Sequence, residues 1–116
     1  MAALTATVPT VTGTTDVGAA VSSSDTIDQS ILGGRGAYLD ITNAGGSSDT
    51  VTISDYGTTA AGNALASNQY TVTVANGSSK VIWIKPQQVN PATGLVTITH
   101  SVTATVTYKM YSLQGI

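Results

Sequence analysis

The chain has 116 residues, a net charge of −2 and charged side chains at 9% of its positions. It has no Cys, which excludes disulfides, thiolate metal sites and a Cys nucleophile. Its four cations, Arg35, Lys80, Lys85 and Lys109, are scattered along the chain and do not form the basic footprint of a nucleic-acid-binding protein. No apolar run approaches the ~20 residues of a transmembrane helix, and no basic and apolar leader indicates secretion. We therefore expect one domain, made in a cytoplasm, with neither nucleic acid nor membrane as partner.

Residue composition favours strands over helices. Thr occurs 20 times and Glu is absent; β-branched residues favour strands, and good helix formers are few. Hydrophobic residues make up 41% of the chain, which together with the low charge argues against intrinsic disorder.

The N-terminal residues 1–24 are mostly Ala, Thr, Val, Ser and Gly. Their irregularly spaced Val residues predict an extended N-terminal arm or a weak edge strand, followed by a β-sandwich domain over residues 25–116. Arms of this kind stay loose or become ordered against a partner. We therefore expect the fold to survive removal of residues 2–24.

Residues 37–54 read "AYLDITNAGGSSDTVTIS". Two alternating runs flank a Gly/Ser turn at residues 43–48, which predicts a β-hairpin. Period two places one apolar set on a single face of this hairpin, namely Leu39, Ile41, Val51 and Ile53.

Residues 55–68 are small and polar, which predicts a loop with one helical turn near residues 64–66. Residues 69–74 alternate again, and Asn76-Gly77 is a strong signal for a second hairpin turn. The next run, "KVIWIK" at residues 80–85, is apolar on both faces and predicts a strand buried on both faces. In a two-layer sandwich the outer face, with Val81 and Trp83, would then meet a loop, the N-terminal arm or another subunit.

The remaining chain contains an irregular connection with Pro86 and Pro91, followed by alternating residues from Leu95 to Met110. Short strands that are separated by frequent turn signals predict an all-β fold. We expect a single-domain β-sandwich or jelly-roll-like structure of about seven to eight antiparallel strands.

No catalytic, cofactor or metal residues are predicted. His100 is the single His, and we expect it to be half-exposed on a sheet. The hairpin carboxylates Asp40, Asp49 and Asp55 are interpreted as surface residues that keep sheet edges soluble. A calcium site at Asp25 and Asp28, without EF-hand spacing, and a small hydrolase that uses His100 and Asp40 are the alternatives.

The aromatic residues are Tyr and Trp without Phe, a combination that suits both protein interfaces and sugar-binding surfaces. A carbohydrate-binding β-sandwich is therefore a second interpretation of the chain, although no single strand carries several aromatics at planar spacing. The candidate protein-interface residues are Val81, Trp83, Tyr56, Tyr108 and Tyr111.

Three runs carry a resemblance to a known family. They are "GGRGAYLDITNAGGSSDTVTISDYG", "YTVTVANGSSKVIWI" and "NPATGLVTITHSVTATVTYKMYSL". Together they resemble the small β-sandwich proteins of tailed bacteriophages that are encoded near the major capsid protein. The resemblance covers about residues 26–113.

This resemblance implies a capsid decoration, or cement, protein without an active site. Such a protein binds the outer surface of the phage head, bridges capsid subunits and stabilises the shell. The implied partner is the major capsid protein. Further copies of the chain in a homo-oligomer are an additional alternative, since the resemblance leaves open whether the protein is a monomer, a dimer or a trimer. The implied location is the capsid surface of the virion, after synthesis in the cytoplasm of a bacterial host. Head fibres and tail proteins use the same sandwich and remain alternatives.

Overall fold

The computed structural model describes residues 2–56 and 69–113. Within these residues the chain forms nine β-strands and two short helical segments. The strands are β1 (Ala2–Ala3), β2 (Ala19–Ala20), β3 (Ser24–Asp28), β4 (Ala37–Asn43), β5 (Asp49–Ser54), β6 (Gln69–Val74), β7 (Ser78–Ile84), β8 (Leu95–His100) and β9 (Val106–Ser112). Helix α1 spans Gln29–Leu32, and a 3-10 helix spans Pro86–Gln88.

The described strands form two sheets. One has five strands in the order β1-β3-β8-β5-β6, and the other has four in the order β2-β9-β4-β7. Neighbouring strands are antiparallel except for the parallel pair β1–β3. The predicted all-β, single-domain sandwich is confirmed.

The core lies between the inner faces of the two sheets. Period two directs alternate side chains of each strand inward, and these inward positions are apolar in most strands. Burial of each large aliphatic side chain stabilises the fold by roughly 1.5–3 kcal/mol. Fully buried aliphatic residues include Ile27, Leu39, Ile41, Val51, Ile53, Val74, Ile84, Val96, Ile98 and Met110.

Residues 37–54 do not form the predicted hairpin. β4 pairs with β7 and β9 in the four-stranded sheet, whereas β5 pairs with β6 and β8 in the five-stranded sheet. The segment between them crosses from one sheet to the other, and the buried Asn43 side chain holds this crossing. Its Nδ2 donates to the carbonyls of Ser47 at 2.7 Å and Val74 at 3.1 Å, and its Oδ1 accepts from Gly45 N at 3.0 Å. The predicted inward face is nevertheless correct, because both strands point the predicted apolar set into the core.

The turn at Asn76-Gly77 also joins opposite sheets, from β6 to β7. Gly77 has a φ of +77°, a left-handed conformation that favours glycine in any tight turn. The turn signal was therefore correct and the inferred hairpin pairing was wrong. The loop and helical turn predicted around residues 57–68 lie outside the described residues.

The N-terminal residues supply one edge strand to each of the two sheets. Leu4 donates its N–H to the Thr26 carbonyl at 2.8 Å and is 4% exposed, and Val21 is 8% exposed. β1 extends one sheet and β2 extends the other. Of the two predictions for residues 1–24, the structure favours edge strands over a separable arm, since β1 and β2 lie at sheet edges and Leu4 and Val21 belong to the core. Residues 7–18, here called the valine loop, protrude between them with Val8, Val11 and Val17 exposed.

β7 is the edge strand of the four-stranded sheet. Ile82 and Ile84 point into the core, but Val81 and Trp83 are 65% and 51% exposed on the outer face. Within residues 2–56 and 69–113 this outer face is not covered, so the predicted contact with another subunit stays a prediction. The N-terminal residues do not cover this face of β7, because β2 pairs with β9 at the opposite edge of the sheet.

Candidate interaction surface

The outer face of the four-stranded sheet carries a row of aromatic residues. Strand register places Trp83 of β7 beside Tyr38 of β4, and Tyr38 beside Tyr111 of β9. Neighbouring strands in a sheet lie about 4.8 Å apart, so the three side chains are adjacent. Sequence reasoning looked for several aromatics on one strand and missed this row, since each residue comes from a different strand.

One end of this row opens into a groove of ≈ 770 Å³, here called the Trp83 groove. Trp83 and Tyr38, 51% and 46% exposed, form its aromatic wall. The loop before β4 and the segment after β7 supply the polar side chains that line it, namely Arg35, Lys85 and Gln87.

The position of the Trp83 ring is set by two neighbours. Its Nε1 donates to the Arg35 carbonyl at 3.1 Å, and the Lys85 ammonium lies 5.4 Å from the ring centroid, within the range of a cation–π interaction. Gly36 lets this loop approach β7, because its φ is +89° and a Cβ there would lie 2.1 Å from the Ile84 carbonyl oxygen. The Gly-rich stretch at residues 33–36 is thus a tight connection between α1 and β4.

Four of the five candidate interface residues reach the surface. Val81 lies on the outer sheet face, and Tyr56 is 42% exposed with its N–H bonded to the Gln88 carbonyl. Tyr111 is half-buried. The prediction of an interface position is wrong for Tyr108. Its side chain points inward, is only 8% exposed and accepts a hydrogen bond from the Thr5 N–H through its hydroxyl.

The valine loop is attached to β9, where the Thr7 N–H donates to the Met110 carbonyl at 2.8 Å, and its Asp16 interacts with Tyr111 of the same strand. Hydrogen bonding from the Tyr111 hydroxyl lowers the pKa of the Asp16 carboxyl, with further lowering by the Gly18 N–H and by Thr7. The same contact raises the pKa of Tyr111. The carboxylate therefore stabilises the attachment of the loop to β9 in its ionised form.

This attachment is expected to weaken in acid. A carboxyl whose pKa is depressed in the folded state stabilises that state above its ordinary pKa of about 3.9, and the effect is lost as the pH falls through the lowered pKa. In an NMR titration the amide resonance of Gly18, which donates to Asp16 Oδ1 at 3.1 Å, should shift over this acidic range. Asp16→Asn should abolish the shift and Asp28→Asn should retain it. If the Gly18 resonance of Asp16→Asn shifted over the same pH range as in the parent, the assigned contact between Asp16 and Gly18 would be contradicted.

A second set of polar side chains is buried at the other end of the sandwich. His100 Nδ1 lies 2.6 Å from Asp49 Oδ2, and His100 Nε2 lies 3.9 Å from Asp25 Oδ2. The Val102 N–H donates to Asp49 at 3.2 Å, and the Ser22 hydroxyl donates to Asp25. His100 is therefore buried, with a side chain 1% exposed, and Asp49 is fully buried. The predictions of a half-exposed His100 and a surface Asp49 are wrong.

The structure does not assemble either of the two alternative sites, the hydrolase site or the calcium site. Asp40 lies on the outer face of the opposite sheet, so the proposed pair of His100 and Asp40 is not assembled. Ser22 bonds to Asp25 rather than to His100. Asp28 is exposed while Asp25 is fully buried, and in residues 2–56 and 69–113 no group of three or more acidic or His side chains could hold a metal ion. The buried cluster is best explained as a polar network that links β3, β5 and β8.

The sequence did contain a signal for this cluster. His100 follows Val96 and Ile98 at period two, Asp49 precedes Val51 and Ile53 at the same period, and Asp25 precedes Ile27. Each polar residue therefore continues an inward apolar series of its strand.

Comparisons with protein-family models, with curated proteins and with solved structures find no match for this chain. Across the described residues there is no helix that is both long and apolar enough to span a membrane.

Proposed function

We propose that the protein is a structural component of a phage virion, and that it acts as a capsid decoration protein. In this role it binds the major capsid protein on the outer surface of the head and bridges neighbouring subunits. The resemblance of its strand and turn sequences to such proteins supports the assignment. The structural observation that carries it is the outer face of the edge strand β7, where Val81 and Trp83 are exposed beside Tyr38.

The chemistry around these residues suits a protein interface. Register places Thr42 between Thr107 and Ser79 on the same outer face. Hydroxyl groups form hydrogen bonds with a partner without the cost of removing charges from water. A standard interface buries ~1,600 Å² in total, and repetition over many copies strengthens modest contacts through avidity.

The arrangement of the exposed apolar side chains also suits bridging. Val8, Val11 and Val17 lie in the valine loop at the β9 side of the sheet, and Val81 lies on β7 at the opposite edge. Exposed apolar patches mark interaction sites in many proteins. Two such patches on opposite sides of the four-stranded sheet can contact two neighbouring capsid subunits.

Binding to expanded capsid shells tests the proposal. Purified protein should add to expanded shells of its own phage at fixed stoichiometry and raise their melting temperature. Val81→Asp should weaken the binding about tenfold or more, as for a residue at the centre of an interface. Thr73→Asp, at an exposed position of β6 in the other sheet, is the matched control and should bind like the parent.

Two outcomes would overturn parts of this proposal. Absence of binding to any expanded shell of the phage would reject the decoration role and leave the head-fibre and tail locations as the alternatives. Equal weakening by the two Asp substitutions would show that the outer face of β7 is not the contact surface.

A further inference from the structure

The Trp83 groove combines aromatic and cationic side chains. Trp83 and Tyr38 present exposed ring surfaces side by side. Its volume of ≈ 770 Å³ lies within the range of about 300–1,000 Å³ for small-molecule sites. Exposed Tyr and Trp rings provide flat apolar surface with a polar edge, which matches the C–H faces and hydroxyl edges of sugar rings.

The positive charge of the groove indicates an anionic ligand. Two of the four cations of the chain, Arg35 and Lys85, line the groove, and none of its lining residues is acidic. The Lys85 ammonium lies over the Trp83 ring, 5.4 Å from its centroid, so an anion that it binds is held close to the indole. Guanidinium and ammonium groups bind carboxylates through charge-assisted hydrogen bonds. We propose that the Trp83 groove binds an acidic saccharide, whose sugar rings stack on Trp83 and Tyr38 while a carboxylate contacts Lys85.

The backbone groups of the groove argue against a peptide strand as the occupant. The Arg35 carbonyl already accepts the Trp83 Nε1 hydrogen bond, and the Lys85 N–H already donates to Gln88 Oε1 at 2.7 Å. Addition of a strand depends on main-chain hydrogen bonds, and the Lys85 N–H is already engaged and cannot donate one to a peptide. Recognition then rests on side chains, including the Gln87 amide, which suits a ligand with many hydroxyl groups.

Charge also argues against a nucleic acid. Binding of nucleic acids depends on several phosphate contacts from Lys and Arg, whereas this groove has two cations in a chain of net charge −2. An acidic saccharide needs fewer ionic contacts, because stacking supplies part of the binding. This inference goes beyond the decoration role and does not depend on it, since the free protein is sufficient for the test.

Trp83 is the single Trp of the chain, so its fluorescence reports on this groove alone. Titration with trigalacturonate should change the Trp83 emission until the change saturates. Galactotriose, which lacks the carboxylates, should bind at least about tenfold more weakly. Lys85→Gln should weaken trigalacturonate binding at least about fivefold, as expected for loss of one charge-assisted hydrogen bond. Lys80→Gln, on the same strand but outside the groove lining, should bind like the parent. Thermal melts of both variants would confirm that they are folded.

Three results would overturn the inference. They are absence of saturable trigalacturonate binding, equal binding of trigalacturonate and galactotriose, and equal weakening by Lys85→Gln and Lys80→Gln. Saturable binding of an acidic peptide such as acetyl-Glu-Pro-Glu-amide with tighter affinity than trigalacturonate would assign the groove to protein contact instead. Each of these results leaves the shell-binding experiment unaffected, so the two proposals fail separately.

Discussion

Asp49→Ala is expected to lower the free energy of unfolding by about 2–5 kcal/mol, because each buried hydrogen-bonding group that loses its partner costs about 1–3 kcal/mol. The Asp49 carboxylate is fully buried, lies 2.6 Å from His100 Nδ1 and accepts the Val102 N–H. The substitution leaves the imidazole without this partner. It also leaves the Val102 N–H unpaired, and an unpaired buried donor adds its own cost. Denaturant unfolding measures the loss directly.

Asp28→Ala is the matched control for this prediction. Asp28 is an exposed Asp on β3 and its side chain makes no capping hydrogen bond to α1, so the change should stay within about 0.5 kcal/mol. A double-mutant cycle of Asp49→Ala with His100→Ala should show strong coupling between the two residues. A loss below about 1 kcal/mol in Asp49→Ala would mean that the network contributes little to stability.

Leu4→Ala is expected to lower the free energy of unfolding by about 2–5 kcal/mol, the usual cost of truncating a buried Leu. The Leu4 side chain is 4% exposed and belongs to the core cluster between the two sheets. Deletion of residues 2–24 removes Val21 as well, together with the strands that extend both sheets. We therefore expect the deletion to be unfolded or strongly destabilised, since typical domains are stable by only about 5–15 kcal/mol.

Val11→Ala provides the comparison within the same N-terminal segment. Val11 is fully exposed in the valine loop, so its truncation should change stability by no more than about 0.5 kcal/mol. Equal melting temperatures for Leu4→Ala and Val11→Ala would show that the N-terminus does not belong to the core. A deletion of residues 2–24 that keeps its cooperative unfolding would show the same.

The alternating pattern predicted which side chains point inward with good accuracy. Leu39, Ile41, Val51 and Ile53 were assigned to a buried face and are fully buried. The same alternation along β8 and β5 places the His100 and Asp49 side chains inward, but the polarity of these residues suggested that they were exposed. Buried polar groups are uncommon unless they find partners, and those partners come from other strands. The pairing of His100 with Asp49 depends on the β5–β8 register, which no local pattern in the sequence contains.

By itself the sequence determined the strand positions, the inward faces and the all-β class, because side-chain alternation and turn chemistry act over a few neighbouring residues. Only the tertiary structure decided which strands pair. A Gly-containing turn can close a hairpin or cross between two sheets, and this chain uses the crossing after both β4 and β6. The same cause accounts for the aromatic row, since Trp83, Tyr38 and Tyr111 are far apart in sequence and adjacent only through register. Their proximity follows from long-range strand pairing, whose energy is shared over the whole sheet.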